Sequence, residues 1–301
     1  MIKVLILGSS GLLGKYLYNE LKNNKRINLF HSGLNNRKFD FTKKKQLEDL
    51  INYKKPNLII NTIGLTSIEK CENQSKISKK INFEIIQNIF NLKNKKKYNF
   101  NLIHISTDQF YDSKKRGGSN EKSKIFLMNN YCKHKRMSEI TCVKNNALVL
   151  RTNFFGKSLS KNKSFSDWVI NAFKSKKKIY LFDDVYFNPL SIRTIVKILS
   201  NIIKNKLYTN KGIYNLGSKD GIFKNDFATI IAKKMQIFHN NYVNININKL
   251  LKVKRPINMF MNVNKFEKKF NIKLPLIRQE IINEIKNYKN NENKIRKKNN
   301  I

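Results

Sequence analysis

The sequence is poor in the residues that staple or metallate a fold. Its 3 cysteines, Cys71, Cys132 and Cys142, include no C-x-x-C pair and no disulfide-framework spacing. Reduced thiols with no special role are expected. The 4 histidines (His31, His104, His134, His239) are scattered, and none pairs with a second ligand at helical spacing, so no metal site is predicted. No apolar stretch approaches the length needed to cross a bilayer, which predicts no membrane partner. The apolar run after Lys3 is too short for a signal peptide and passes straight into glycines, so a cytoplasmic location is expected. There are no internal repeats.

Acidic residues are scarce as well, 20 against 61 Lys and Arg, for a formal charge of +41. Such an excess can mark a polyanionic partner. Nucleic-acid binders concentrate their charge on one face or tail, whereas these lysines fall on nearly every predicted helix and loop. A residue-usage bias towards Lys, Asn and Ile accounts for them, and no specific nucleic-acid partner is expected. A positive field would still draw in anionic cofactors and nucleotide-linked substrates.

What is present is a chain of 301 residues, 40% hydrophobic, with 12 Tyr and 20 Phe, enough to bury a substantial core. It opens on Ile2 to Leu7, a nearly continuous apolar run, followed at once by Gly8-Ser9-Ser10-Gly11-Leu12-Leu13-Gly14. Leu12, Leu13, Tyr16, Leu17 and Leu21 then recur at helical spacing. Strand, glycine turn and helix in that order predict a dinucleotide site. Gly8 would let the chain leave the strand sharply, Gly11 would admit a pyrophosphate, and Gly14 would let helix and strand pack closely. The helix N-terminus would offer free N–H groups to the anion.

Further strands are predicted at Ile27 to His31, Leu58 to Asn61, Leu102 to Ile105 and Leu148 to Leu150, with amphipathic helices between them. One helix runs from about Lys43 to Asn52 and stops at the Lys55-Pro56 step; another carries Ile81, Ile85, Ile86, Ile89 and Phe90; a third begins near Asn129. Alternation of this kind predicts an α/β domain, a doubly wound parallel sheet whose ligands lie beyond the carboxyl ends of the strands. Past Arg151 the alternation loosens into a smaller mixed α/β region. The expected division is a cofactor domain over 1–155, completed by about 183–205. A substrate-binding region would take about 156–182 and 206–289, and 290–301 would be a disordered basic tail.

Tyr131 and Lys135 stand four apart, on one face if the stretch is helical. A nearby ammonium favours phenolate and would bring the tyrosine towards useful acid–base range. The lysine could also bind the ribose hydroxyls of a nicotinamide cofactor, and Thr107 could bind a substrate carbonyl oxygen. Alone, Tyr-x-x-x-Lys means little in so lysine-rich a chain. Its weight comes from order: glycine loop, then Ser106-Thr107-Asp108 after a later strand, then Tyr131 and Lys135 on the following helix.

That order resembles the extended short-chain dehydrogenase/reductases. Ile59 to Glu72, His104 to Asp112, Leu150 to Gly156, Asp183-Asp184 with Asn188-Pro189, Gly212 to Gly217, Arg255-Pro256 and Leu274-Pro275 are similar to one branch. These are the dTDP-4-dehydrorhamnose reductases and their sugar-nucleotide-binding relatives. The resemblance implies a Rossmann-type fold over nearly the whole chain and reduction of a nucleotide-linked 4-keto-6-deoxysugar in cell-surface polysaccharide or deoxysugar biosynthesis. Tyr131 would donate the proton to the C4 keto oxygen, Lys135 would lower its pKa and bind ribose, and Thr107 would be the third catalytic hydroxyl. Leu12, Leu13 and Gly14 would meet the pyrophosphate, Asp40 and Phe41 the adenine, and Gly64, Leu65 and Thr66 the ribose and nicotinamide side. Thr107, Asp108 and Phe154 would line the sugar site. The family often has tryptophan where Phe154 stands, and Thr62-Ile63-Gly64 replaces its usual alanine-rich stretch, so the sugar is left open.

The second strand is followed by no acid before Asp40 to bind a ribose 2′-hydroxyl. Ser32 with Arg37 or Lys38 could instead hold a 2′-phosphate, so NADPH is expected, with NADH the alternative. Some relatives bind Mg²⁺, and a homodimer is an open expectation. Two alternatives stand beside the reductase. One is a sugar-nucleotide epimerase or dehydratase of the same fold, although Gln109 follows Asp108 where a dehydratase would want a glutamate. The other is a non-catalytic NADP-binding subunit, which need not keep Thr107, Tyr131 and Lys135.

Overall fold

The computed structural model describes residues 1–31, 39–112, 117–159 and 163–299, with side chains as far as Asn290. Six parallel strands form the main sheet. Five are β1 (Ile2–Leu7), β2 (Ile27–His31), β3 (Leu58–Asn61), β4 (Asn101–Ile105) and β5 (Leu148–Thr152), and the sixth is Gly212–Leu216. From one edge the order is Gly212–Leu216, β5, β4, β3, β1, β2.

The near-continuous apolar strands follow from burial on both faces. Along β1, Val4 and Ile6 enter one core cluster while Leu5 and Leu7 enter another. The first cluster lies beneath α1 (Leu12–Leu21) and the helix Ile192–Lys204. The second lies beneath α2 (Lys44–Lys54) and the helix Ile85–Lys95. A five-residue π turn, Lys80–Glu84, leads into that last helix.

The sixth strand corrects the expected division, which left 206–289 in the substrate region. Gly212–Leu216 pairs parallel with β5, Ile213 opposite Val149, so the chain returns to close the sheet edge. Its Tyr214 packs edge-on against Phe270 at 5.1 Å, which brings the helix Asn264–Phe270 onto the same core.

The substrate region has a core of its own. Phe155, Phe173, Phe187 and Phe227 gather there, and the strands Ile179–Phe182 and Tyr242–Ile245 pair in parallel. The helix Ile277–Asn299 seals it with Ile277, Ile281, Ile285 and Tyr288. That helix continues through most of the stretch expected to be a disordered tail. Extending a packed helix costs far less than starting one, so the first half carries the second.

Candidate active site

The turn after β1 and the segments after β3, β4 and β5 meet at the carboxyl end of the sheet around one cavity of about 470 Å³. Its phosphate end is made by the opening loop. Gly8 has φ +88°, and a Cβ there would come within 2.8 Å of Thr62 Oγ1. At Gly14 a Cβ would sit 2.2 Å from the Gly8 carbonyl oxygen, so only hydrogen fits. Gly8 and Gly14 thus shape the turn, whereas Gly11, Leu12 and Leu13 line the cavity. Gly11 caps α1 without a side-chain hydrogen bond, leaving first-turn N–H groups with no intrahelical acceptor. Thr62 braces the turn by donating to the carbonyls of Leu7 (2.8 Å) and Gly8 (3.2 Å). A glycine cradle against an uncapped helix N-terminus fits a dinucleotide pyrophosphate.

The other end holds the ionisable groups. Asn129 caps the helix Asn130–Lys144, its side chain accepting from the Cys132 N–H at 3.0 Å. One turn apart on that helix, Tyr131 and Lys135 both reach the cavity, opposite Thr107 from the end of β4. The three residues converge as the sequence predicts, and all are buried. Their electrostatics differ from the expectation. Burial raises the Tyr131 phenol well above its ordinary pKa, with the Thr107 side chain acting in the opposite direction. Lys135 instead donates to the Ile105 carbonyl at 2.6 Å, and burial lowers its pKa to about 8. Without ligands, desolvation outweighs the expected effect of the ammonium, and Tyr131 keeps its proton.

Asp108 is buried on the cavity wall, accepting from Asn153 Nδ2 at 2.7 Å. Burial raises its pKa to about 6 against the opposing Asn153 bond and the Lys224 charge. Behind the wall, Arg151 and Glu139 form a fully buried ion pair at 2.7 Å. Glu139 Oε1 also accepts from Ser106 at 2.7 Å, tying the helix that carries Tyr131 and Lys135 to the strand end that carries Thr107.

Gly64, Thr66 and Phe154 also line the cavity. Leu65 does not: its backbone N–H and carbonyl bond the Asn82 side chain at 3.0 and 3.1 Å, and its own side chain packs against the small cluster of Ile68, Cys71, Phe110, Tyr131 and Cys132. Asp40 and Phe41 lie outside it too. Asp40 accepts from the Thr42 hydroxyl at 2.6 Å, and Phe41 is core. Ser32, Arg37 and Lys38 fall outside the described residues. Sequence reasoning assigned no role to Asn153, Lys163, Phe165 or Arg255, all on the cavity wall. Asn153 and Arg255 lie in stretches that carry the family resemblance, but strand ends and the substrate region meet at the cavity only in three dimensions. Among the described residues, no three His, Cys, Asp or Glu side chains gather as a metal site, and no helix is long and apolar enough to cross a membrane.

Residues 2–290 match the family described as the RmlD substrate binding domain. The chain belongs to this family. A dTDP-4-dehydrorhamnose reductase of Aggregatibacter actinomycetemcomitans is 25% identical over 285 residues, covering 90% of this chain and 94% of that protein. Among solved structures, the dTDP-4-dehydrorhamnose reductase of Clostridium acetobutylicum aligns over 96% of this chain and 100% of its own, with TM-score 0.84 and 21% identity. That of Bacillus anthracis, in complex with NADP, covers 94% and 98% with TM-score 0.83 and 20% identity. At those identities the solved structures speak for the fold. Membership of the RmlD family places the chain on the branch that the sequence motifs resemble.

Proposed function

We propose that this RmlD-family chain is an NADPH-dependent reductase of a nucleotide-linked 4-keto-6-deoxysugar. The observation that carries the reading is the convergence of Thr107, Tyr131 and Lys135 on the cavity that the Gly11–Leu13 turn closes at its other end. The relatives named dTDP-4-dehydrorhamnose reductase support the substrate class.

The Leu12 and Leu13 N–H groups would hold the pyrophosphate of a bound dinucleotide, which would supply the hydride that reduces the carbonyl carbon. Thr107 donates a hydrogen bond to the keto oxygen, and Tyr131 transfers its phenolic proton there as the carbon–oxygen π electrons move onto oxygen. A buried, protonated tyrosine is the form a proton donor needs. Lys135 steadies the resulting phenolate and the cofactor ribose. NADPH is preferred on two grounds: a neighbour of the same fold carries NADP, and Asp40, the first carboxylate after β2, is already engaged by Thr42.

A screen of 4-keto sugar nucleotides with product identification tests the reading. One NADPH should disappear per reduced sugar; an epimerase would turn over without net consumption. Wild-type turnover by Tyr131→Phe would refute the mechanism, and a marked NADH preference the cofactor choice.

A further inference from the structure

Beneath Lys135 lies a buried chain of polar groups. The Ile63 N–H donates to Asn61 Oδ1 at 3.2 Å. Asn61 Nδ2 is 3.2 Å from His104 Nδ1, and His104 Nε2 is 3.4 Å from Lys135 Nζ. Asn61, His104 and Lys135 are each at most 3% exposed.

Donor counting fixes the protons along this chain. A backbone N–H can only donate, so it holds the oxygen of the Asn61 amide towards itself. The amide NH₂ is thereby turned to His104, whose Nδ1 must accept. Burial keeps the ring neutral, so its one hydrogen sits on Nε2, aimed at Lys135. An amine nitrogen can accept that hydrogen, and an ammonium cannot. The charge of Glu139 raises the Lys135 pKa, but burial outweighs it, and no hydrogen bond joins the two. Glu139 lies one turn further along the helix, but its Oε1 serves Ser106 and Arg151 and its Oε2 serves Arg151 and Arg136. Among the described residues, the other ionisable neighbours are Cys142 on the same helix and Tyr131 one turn back, both protonated.

We propose that Asn61 and His104 are positioning residues that present an N–H to Lys135, which loosens its hold on the ammonium proton until cofactor fills the cavity. The proposal deepens the reductase reading. With a midpoint near pH 8 the ammonium still predominates at pH 7, and the uncharged fraction takes up its proton where the ribose hydroxyls and a nascent phenolate can accept its hydrogen bonds. Loading and charging of the site are then coupled.

The test is a ¹³C-lysine NMR titration of the ligand-free full-length protein. Lys135→Arg identifies the Lys135 signal by its loss. In the wild type that signal should titrate near pH 8, apart from the surface lysines. His104→Gln can turn an oxygen to Lys135 without adding charge. Asn61→Asp accepts from Nδ1–H and moves the ring's lone pair to Nε2. Each should raise the Lys135 midpoint by at least one pH unit, a tenfold gain in proton affinity. A wild-type Lys135 that titrates with the surface lysines overturns the proposal, as does an unmoved midpoint in folded His104→Gln. Should that variant fail to fold, Asn61→Asp decides in the same way. NADPH dissociation constants across the same pH range give a second readout: affinity should fall above pH 8 in the wild type and only at higher pH in the variants. Failure of every keto sugar to turn over would remove the reductase reading and leave this titration standing.

Discussion

The two ends of the cavity solve opposite problems. The proposed phosphate end is built from backbone: Gly11, Leu12 and Leu13 line it, the Gly11 N–H is taken by the Gly8 carbonyl, and the shape comes from two glycines that tolerate no Cβ. Nothing in that turn titrates. The chemical end binds with side chains buried at a cost, and its electrostatics are dominated by desolvation at Tyr131, Lys135 and Asp108. Geometry should therefore govern the first end and protonation the second.

The largest expected effect is at the chemical end. Tyr131→Phe removes the proton donor without altering the ring's packing, and kcat should fall by about 10²–10⁴ with NADPH affinity within a few-fold of wild type. A comparable loss of cofactor affinity would mean that the two ends are not separable.

Gly14→Ala probes the phosphate end. The added methyl would meet the Gly8 carbonyl at 2.2 Å, so strand and helix must part. NADPH affinity, read by fluorescence titration, should drop about 100-fold, with the same factor at pH 6 and pH 7.5. A pH-dependent factor would place a titrating group at the glycine turn.

Asp108→Asn tests the sign of the desolvation. Folding raises this carboxyl from 3.8 to about 6, so the native state holds the proton more tightly than the unfolded chain. Stability linked to it is present below about pH 4 and is lost as pH rises through 6. The amide should make the protein more stable above pH 6, by up to about 3 kcal/mol, and no more stable at pH 4. Chemical denaturation at both pH values measures this, and destabilisation at pH 7 would show that the Asn153 and Lys224 contacts outweigh burial.

The smallest effect is expected at Asp40. Its carboxylate accepts from Thr42, and Asp40→Asn should change NADPH affinity by less than about threefold, in line with an ordinary surface change. A larger loss would restore the adenine role suggested by resemblance.

The legibility of the molecule divides along the same line. The glycine turn was readable because a strand, a turn and a helix N-terminus are contiguous, so eight or so residues carry the whole geometry. Tyr131 and Lys135 were readable as a pair because helical spacing puts them on one face. The strand Gly212–Leu216 was visible as a strand but assigned to the wrong region, since pairing with β5 across some sixty residues leaves no local mark. Leu65 was misplaced for a related reason: its neighbours Gly64 and Thr66 line the cavity, while Asn82 turns it towards the core.

By itself, then, the sequence determined the alternating α/β order, the strand–glycine turn–helix unit and the helical pairing of Tyr131 with Lys135, because each depends on periodicity or adjacency along the chain. The tertiary structure decided which of those groups hold their protons, since burial is a property of the assembled core. It also decided that Lys135 faces His104 rather than a carboxylate, because Glu139 is held by Arg151 from another strand.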